Sequence, residues 1–426
     1  MQATKSGNRS NGHPRRGRGY AILWCLITLL LFITIGSFAL ELSWLRLAES
    51  KARTAAEAGA LAAAGSLMDG RTISAANAAE TCDSNEGPNG PVILIPSAEN
   101  DSSDISFGRW DAQNGTFEEA LVAPDAVRTR IEFSDAHPNG AVNLLLTGFL
   151  GLDSAEVGSE VVAHRRPEFP VPVVGWVLEA LQPNGLSIRS SQMDVNGALE
   201  VHSNSPQAVS VLNDGLLRGS LIDIQGDIQL DSDEGIRGMV RFDPPTTPPP
   251  SLPAMDLEGI PNQLPIIDSP GTKNLPPGHY QSGLVGSLGQ YVLADGVYLF
   301  GGAGIDLSGN ASLAADNVII VLDDGAGLRI DGAEISIRTS ESVGAVDNPD
   351  LIALAAISQV KSSILLEQDA LLEVKGIIHA PRGLLSLNDG TMTCLGFITR
   401  NLTGTSGSSI TAGPDTPHPV QLELVR

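Results

Sequence analysis

The chain has 426 residues, a formal net charge of -23 and an aromatic content of only 4%. Its 46 glycines and 27 prolines suit turn-rich β-structure better than a helical enzyme. An acidic surface repels phosphate backbones, so the composition argues against nucleic-acid binding.

A basic tail and an apolar stretch come first along the chain. Arg15, Arg16 and Arg18 precede residues 20–40, which contain no charged side chain. As a helix of about 1.5 Å per residue, this stretch is about 30 Å long, the thickness of a bilayer's hydrocarbon core. Basic residues keep their side of a span in the cytoplasm, so the three arginines are predicted topology determinants. A cleaved signal peptide, with a small-x-small site at residues 37–39, is the alternative.

Residues 41–67 are rich in alanine and leucine and lack proline, which predicts one helix that continues from the span. Small residues recur along it at a spacing of three to four and form a narrow face that another helix can approach closely. The members of this face are Ala55, Ala58, Gly59, Ala62 and Ala63. The face predicts packing against a partner or a second copy, and hence a homo-oligomer through this helical arm; a solvated helix is the alternative.

The region from residue 14 to residue 67 resembles the N-terminal region of TadG-like proteins of the Tad (Flp) pilus-assembly system. The shared pattern is an Arg-Arg-Gly start, one membrane helix and an alanine-rich arm, here AAEAGALA at residues 55–62. A weaker likeness continues through FGRWDAQNGTF and EVVAHRRP to residue 167. The resemblance implies a single-pass protein of the bacterial inner membrane with a cytoplasmic N-terminus and a periplasmic bulk. Its partners would be Tad pilus or secretion components, other envelope proteins and membrane lipid.

Two departures limit what the resemblance implies. Pilin-like relatives are cut after a glycine and carry Glu five residues later, but Ile22 and Trp24 hold those positions after Gly17 and Gly19. Many relatives also carry a von Willebrand A domain, whose metal site needs Asp-x-Ser-x-Ser. The nearest match is DLSGN at residues 306–310, with Asn in the last place and no alternation of strands and helices around it. We therefore predict neither pilin processing nor that domain.

Short apolar alternations punctuated by Gly, Asn, Asp and Ser dominate the chain from residue 168 onward and predict strands of four to six residues. GAGIDLSG at residues 302–309 aligns with GAGLRIDG at residues 325–332, an offset of 23 residues that suits one coil of a β-helix. We predict a right-handed parallel β-helix, with a β-sandwich as the alternative. The proline-rich residues 242–265 predict an extended crossing that either divides two parts of the solenoid or runs along one.

Three stretches of the chain are candidate chemical sites. GGAGIDLSG at residues 301–309 is close to a calcium-binding nonapeptide, but it occurs once and Arg329 replaces Asp306 one repeat later, so it predicts a sharp turn that enters a strand. Asp323–Asp324 offers two carboxylates for glycoside cleavage, yet neighbouring strand residues point to opposite faces and Asp-Asp-Gly is an ordinary turn. The acidic loop at residues 231–235 lacks the spacing of a calcium loop. We predict no enzyme, cofactor or metal.

The three cysteines have different predicted roles. Cys25 lies inside the apolar stretch and is predicted to be a packing residue. Cys82 and Cys394 would both be exported to an oxidising space, where they could form a disulfide that the sequence alone does not establish.

The predicted protein is mainly β, with an N-terminal transmembrane helix and helical arm, a small β-rich segment and a β-solenoid. Its predicted function is a membrane-anchored structural scaffold of Tad-type pilus assembly or a related envelope machine. The alternatives are an anchored β-helix enzyme or binding module acting on polysaccharide, and an adhesin-like surface protein. The predicted boundaries are a basic tail at 1–19, the span at 20–40, the arm at 41–80, the β-rich segment at 90–167 and the solenoid at 168–426.

Overall fold

The structure is a computed structural model with half of the residues in strands. It describes residues 18–100, 104–144, 153–168, 171–178, 185–203, 205–244, 248–249, 257, 259–323, 325–339, 352–356, 362–414 and 420–425. The chain divides into two compact units. The first comprises Met1–Ala56, Glu80–Leu94 and Arg130–Glu160, and the second comprises Glu57–Ala79, Ile95–Thr129 and Val161–Arg426.

One long helix begins the described chain. Helix α1 spans Arg18–Gly65, so the predicted continuity of span and arm is confirmed. A 3₁₀ helix at Leu67–Asp69 and helix α2 at Arg71–Asp83 follow. Gly70 separates these two with φ of 108°, a conformation that favours glycine and ends the helical path. The arm predicted at residues 41–80 is therefore two helices joined by a turn.

The first unit packs α1 against the segment around the end of α2. Ala48, Ala52, Ala55 and Ala56 are buried along one side of α1. The Cys82 thiol donates a hydrogen bond to the Ala55 carbonyl oxygen at 3.4 Å. Such close approach is available because alanine leaves the helix surface narrow.

A small sheet carries the strand order β2-β1-β3-β6-β29 and a two-stranded sheet pairs β4 with β5. Their bounds are β1 Ile105–Asp111, β2 Thr116–Glu119, β3 Ala126–Phe133, β4 Val142–Asn143, β5 Ser154–Ala155, β6 Val157–Pro167 and β29 Val420–Val425. Because β29 pairs antiparallel with β6, the C-terminal strand belongs to this sheet and not to the solenoid predicted to reach residue 426.

The remaining strands form a parallel β-solenoid of about nine turns. Its first group is β7 Val173–Val177, β8 Leu186–Arg189, β9 Gln192–His202, β10 Val209–Leu212, β11 Leu216–Gln225, β12 Ile228–Leu230 and β13 Ile236–Phe242. The second group begins with β14 Gly271–Leu275, β15 Gly278–Tyr280, β16 Leu284–Gly286, β17 Gly289–Leu293, β18 Gly296–Phe300, β19 Ile305–Ser308, β20 Ser312–Asp316 and β21 Val318–Leu322. It ends with β22 Leu328–Asp331, β23 Glu334–Arg338, β24 Ile352–Ala356, β25 Ser363–Glu367, β26 Leu371–Asn388, β27 Thr391–Thr405 and β28 Ser409–Ala412.

The predicted 23-residue repeat is one coil of this solenoid. Strand β19 pairs in parallel with β22, with Ile305 opposite Leu328. Gly302 and Gly304, with φ of 53° and 72°, form the predicted turn before β19. Inward-facing aliphatic side chains then stack in ladders, and each buried one contributes about 1.5–3 kcal/mol. One such ladder runs through Leu284, Ile305, Leu328, Ile364, Leu385, Leu402, Leu186, Val209 and Ile228.

The two groups of strands join in one coil built from distant parts of the chain. Strand β27 pairs with β28, β7 and β8 along its length. On their other side, β28 and β7 pair with β9, and β8 pairs with β10. We call the coil formed by β28, β7 and β8 the composite coil. The chain therefore enters and leaves the solenoid at the same level, in the interior of the stack.

The proline-rich crossing connects the two free ends of the stack. Strand β13 belongs to the last coil of the first group, and β14 belongs to the first coil of the second group. Nine coils at about 4.8 Å are about 43 Å high, whereas residues 243–270 reach up to about 90 Å when extended. Along the way Leu257 packs on Leu299 and Val321 on the outside of the solenoid. Both strands that flank the proline-rich stretch belong to one solenoid, so this stretch does not divide two solenoids.

Charged groups close the coil of β14, β15 and β16. The Lys273 ammonium lies 5.0 Å from the centre of the buried Tyr291 ring, at an inward-facing position of β14. Asp268 accepts hydrogen bonds from the Ser287 amide and the Tyr291 hydroxyl, both at 2.9 Å, and these bonds lower the pKa of its carboxyl to about 2. Residues 261–263 pair with His279 beside β15. This end of the stack is thereby protected against pairing with other strands.

Gly175 provides a test of the composite coil. A Cβ at Gly175 would lie 2.6 Å from Phe397 Cζ in the coil below and 2.9 Å from Leu199 Cδ1 in the coil above. Gly175→Ala should therefore lower the free energy of unfolding by about 1–3 kcal/mol, measured by urea denaturation. The double variant with Phe397→Leu should recover part of that loss. A Gly175→Ala protein as stable as the parent would contradict this stacking.

Candidate functional site

The surface of α1 is apolar and exposed over the predicted span. Every large apolar side chain described between Tyr20 and Leu40 is more than half exposed. Thr28 and Thr34 donate their hydroxyl hydrogens to the carbonyl oxygens of Trp24 and Leu30, both at 2.8 Å. These bonds satisfy the hydroxyl donors of the two threonines within the helix itself, as a hydrocarbon environment requires. The helix is long and apolar enough to cross a membrane. The predicted determinants Arg15 and Arg16 lie outside the described residues, and Arg18 is the first residue of α1.

The exposed surface gives way to a buried stripe just beyond the span. Glu41 is only 4% exposed, and Ala48 is 1% exposed. The Trp44 indole N–H is buried without an acceptor among the described residues. Tryptophan is enriched where a membrane helix passes into the aqueous phase. Burial by the protein thus begins at Glu41, directly after the apolar stretch.

The predicted small-residue face of the arm is partly covered by this chain itself. Ala55, Gly59 and Ala63 are buried, whereas Ala58 and Ala62 are half-buried. The observed buried stripe also includes Ala52, Ala56, Ala60 and Ala64 and is turned relative to the predicted one. Helical spacing identifies small residues but does not tell which of several alanine stripes faces a neighbour.

Cys82 and Cys394, the two cysteines beyond the apolar stretch, are both buried. Cys82 is fully buried beside Ala55, and Cys394 is 1% exposed on β27, opposite Val374 and Ala412 in the neighbouring coils. Each carries a thiol in this structure, which gives no support to the disulfide considered from the sequence. Burial raises the pKa of the Cys394 thiol to about 12. Cys25 is exposed on the apolar surface of α1.

The turn at Gly70, which we call the elbow (Leu67–Arg71), is held to the solenoid by an ion cluster. The Arg71 side chain donates to the Ala98 carbonyl oxygen at 2.8 Å, and its Nε lies 3.4 Å from Glu234 Oε1. The Arg237 side chain donates to Glu234 Oε2 at 3.2 Å and to the Met68 carbonyl oxygen at 3.4 Å. A Cβ at Gly70 would lie 2.9 Å from both Arg237 Nη2 and Glu234 Oε2, so the cluster also requires glycine there. One carboxylate thus joins the arm to strand β13.

A third arginine adds charge beside the elbow. Arg165 on β6 is 8% exposed, and its burial lowers the pKa of its guanidinium below the ordinary value, while Asp69 of the elbow opposes that shift. Desolvation of a charge is costly, so Arg165 depends on Asp69 and on its packing. No sequence pattern predicts this pairing, because the partners are far apart along the chain.

The side chains of the acidic loop at residues 231–235 contribute to this ion cluster and stabilise the turn that the loop forms. Glu234 supplies the carboxylate of the elbow, Asp231 accepts the Asn213 amide at 2.8 Å, and Ser232 accepts the Glu234 amide at 3.3 Å. Within the described ranges, no group of three or more metal-ligating side chains converges.

The other predicted candidate carboxylates lie apart from this loop. Asp306 of the nonapeptide-like stretch, which also begins the DLSGN stretch, lies on β19 directly opposite Arg329. Asp323 lies 4.0 Å from His279, and its neighbour Asp324 lies outside the described residues.

A carboxylate pair on adjacent coils escaped the sequence analysis. Glu200 on β9 is the register partner of Asp223 on β11, with Trp176 opposite Glu200 in the next coil. Their separation of 23 residues equals the repeat, which is the signal that could have found them. Asp223 accepts two hydrogen bonds from Arg241 at 2.7 and 2.5 Å, which raise the pKa of that guanidinium. Glu200 lies 2.8 Å from His202. The two carboxylates are only 4% and 6% exposed, so a polysaccharide does not reach them in this structure.

The ion cluster predicts a specific loss on removal of one charge. Glu234→Gln keeps the size of the side chain but leaves Arg71 and Arg237 without their shared carboxylate, which should lower the free energy of unfolding by about 1–3 kcal/mol. The neighbouring exposed Asp233→Asn is the matched control and should have almost no effect. Equal effects of the two substitutions in urea denaturation would contradict the role of Glu234.

Burial of the thiols predicts slow alkylation. In the folded protein at pH 8, Cys82 and Cys394 should resist iodoacetamide, and both should react after denaturation without reductant. Peptide mass spectrometry measures this directly. Recovery of a peptide pair linked through Cys82 and Cys394 would contradict the structure.

The comparisons with known proteins identify the N-terminal part of the chain. No curated protein and no solved structure matches the chain. Residues 19–66 match the family model described as Tad, putative Flp pilus-assembly TadE/G-like. The match covers the apolar stretch and the arm and stops one residue before the 3₁₀ helix of the elbow. The chain thus carries a Tad domain of the TadE/G-like family, built on helix α1.

Proposed function

We propose that this protein is a membrane-anchored structural component of Tad (Flp) type pilus assembly or of a related envelope machine. The observation that carries the proposal is the coincidence of the TadE/G-like match at residues 19–66 with an exposed apolar helix of membrane-spanning length. In this proposal α1 crosses the inner membrane with its basic end in the cytoplasm, and the solenoid lies on the other side. Its partners are pilus or secretion components, other envelope proteins and membrane lipid.

A scaffold role, not an enzymatic one, fits the solenoid. Three of its carboxylates, Asp223, Glu367 and Glu234, form ion pairs with Arg241, Arg329 and Arg71. Its about nine stacked turns form an extended repeat structure, the kind of architecture that other repeat proteins use to bind partners over a long surface. The elbow fixes the arm's C-terminal end to strand β13, so force on the arm is passed to the solenoid through the Glu234 cluster.

Membrane insertion depends on the apolar surface of α1. Leu30 is 68% exposed near the middle of the stretch. Leu30→Arg should disfavour integration by about 2.5–3.5 kcal/mol, the cost of an arginine at a helix centre. The exposed Ser43, just beyond the stretch, provides the control Ser43→Arg. The readout is the share of protein that resists alkaline extraction from membranes. Equal retention of both variants would show that the stretch does not span.

Isolation of partners tests the wider proposal. The tagged full-length protein, solubilised from membranes in mild detergent, should bring down a secretion ATPase, an inner-membrane platform protein or pilin, identified by mass spectrometry. The Leu30→Arg variant serves as the control and should lose them. Repeated isolation of the protein alone, combined with retention on immobilised glycans, would contradict the proposal and favour the polysaccharide-binding alternative.

A further inference from the structure

Two sections of the second unit meet in the stack although they are not adjacent along the chain. The front section (residues 161–242) contains the end of β6 and strands β7 to β13, and the rear section (residues 271–425) contains β14 to β29. Among the described residues, the strand pairings between the sections are β27 with β7 and β8, β28 with β9, and β29 with β6. We call these pairings the seam. Residues 243–270 connect the two sections along the chain.

The seam joins parts of the chain that are far apart in sequence. Pairings inside a section join strands a few tens of residues apart, as β19 and β22 do. Across the seam, Phe397 lies opposite Gly175 and Thr411 lies opposite Asp194, pairs more than 200 residues apart. Because closing a longer loop costs more chain entropy, local coils form before distant pairings. We therefore expect two preformed sections with open strand edges, which dock at the seam last.

The complement of each open edge is part of this same chain. Leu402 packs opposite Leu186 and Ile410 opposite Met193, and all four side chains are buried in the core. Strand β29 adds six register pairs with β6. A rear section finds all these contacts in the front section of its own chain or in that of a second copy, whereas an unrelated strand does not match them. The seam therefore selects a second copy as the alternative occupant.

The connection between the sections is longer than closure within one chain requires. The Asp243 amide donates to a carbonyl oxygen of β11 at 2.9 Å, and Leu257 packs on the cluster that contains Val321 of β21. Six pairings lead from β11 to β21, a height of about 29 Å. Residues 244–257 include six prolines, which favour an extended chain of about 3.1 Å per residue, or about 43 Å. A connection of this length and stiffness favours a front section at a greater distance than its own.

We propose that two copies of this protein exchange their rear sections across the seam. Each solenoid of the dimer then contains β7 to β13 of one copy and β14 to β28 of the other, with the pairings of the monomer. Since the seam contacts are the same in both forms, closure and exchange differ in the connection and in effective concentration, which is millimolar for short linkers. Copies anchored in one membrane meet at high local concentration, a step that rests on the proposed function.

Exchange links two anchored copies without a new surface. Glu234 of the front section holds Arg71 of the elbow, so each arm stays attached to the front section of its own copy. The rear section contributes the strands that complete the other copy's solenoid. This association differs from the packing predicted for the alanine face of the arm.

Disulfides between two co-expressed copies test the exchange. One full-length copy carries Thr411→Cys and the other carries Asp194→Cys, each with its own tag and in a Cys25→Ser background. In an exchanged dimer, residue 411 of the first copy lies opposite residue 194 of the second. Mild oxidation of the membranes should therefore link the two tagged chains. In closed monomers these two cysteines belong to different solenoids and form no such link.

A pair inside the rear section is the matched control. Glu373 and Thr393 lie opposite each other on β26 and β27 and stay within one chain in either arrangement. Glu373→Cys on one copy and Thr393→Cys on the other should give at least tenfold less interchain link, measured by mass spectrometry of the doubly purified product. Equal linking by the two pairs, or no link between residues 411 and 194, overturns the proposal. Alkaline extraction of the same membranes reports on anchoring separately, so failure of the proposed function is distinguishable from failure of exchange.

Shortening the connection tests the same proposal through its length. Deletion of residues 245–252 leaves a reach of about 21 Å between Asp243 and Leu257, less than the height of about 29 Å along the stack. Closure within one chain then fails, so light scattering should show a larger share of dimer than for the parent. Replacement of residues 245–252 by eight residues of Gly and Ser keeps the length and should not raise that share. A shortened protein that stays monomeric and links residues 194 and 411 within one chain contradicts the exchange.

Discussion

The structure depends on one constraint: each coil of a solenoid needs a neighbouring coil on both sides to satisfy its backbone hydrogen bonds. A chain that adds coils in simple order would leave its start and its finish at opposite ends of the stack. Here the composite coil of β28, β7 and β8 joins the last coil of the second group to the first coil of the other. The two outermost coils of the stack are then formed by strands from the middle of the chain, β13 at one end and β14, β15 and β16 at the other. The proline-rich crossing connects these two coils along the chain. The segments that lead into and out of the solenoid, β6 and β29, pair with each other beside it.

The elbow follows directly after the segment that matches the TadE/G-like family model. The sequence beyond it has no such match. The TadE/G-like match ends at residue 66, and the 3₁₀ helix that follows begins the contact with strand β13. Glu234 joins Arg71 and Arg237 there, so the turn after the family-like helix is fixed by a carboxylate from the solenoid. The arm and solenoid are therefore linked by a partly buried ionic contact, whose removal leaves charges unpaired.

Local patterns predicted local structure well and long-range pairing poorly. The uncharged run at residues 20–40, the proline-free arm and the 23-residue repeat each led to the observed helix and coil, because period and propensity act over short distances. The composite coil pairs Phe397 with Gly175, and the elbow pairs Arg71 with Glu234. No local sequence pattern predicts either pairing, because the partners are far apart along the chain. The pairing of Glu200 with Asp223 is predictable in principle, since the two residues are one repeat apart, but the sequence similarity between coils is plain only in the later part of the chain. Alternation also identifies the last strand without identifying its sheet, so the prediction that the solenoid extends to residue 426 was wrong.

The central claim is that one continuous solenoid is closed by the composite coil. Engineered disulfides test it directly, since Thr411 on β28 lies opposite Asp194 on β9, whereas Glu373 on β26 lies opposite Thr393 on β27. The double variant Thr411→Cys and Asp194→Cys should form an intramolecular disulfide as completely as Glu373→Cys with Thr393→Cys, measured by peptide mapping of the oxidised monomer. Formation of the second disulfide without the first would mean that the two groups of strands do not share a stack, and would contradict the account.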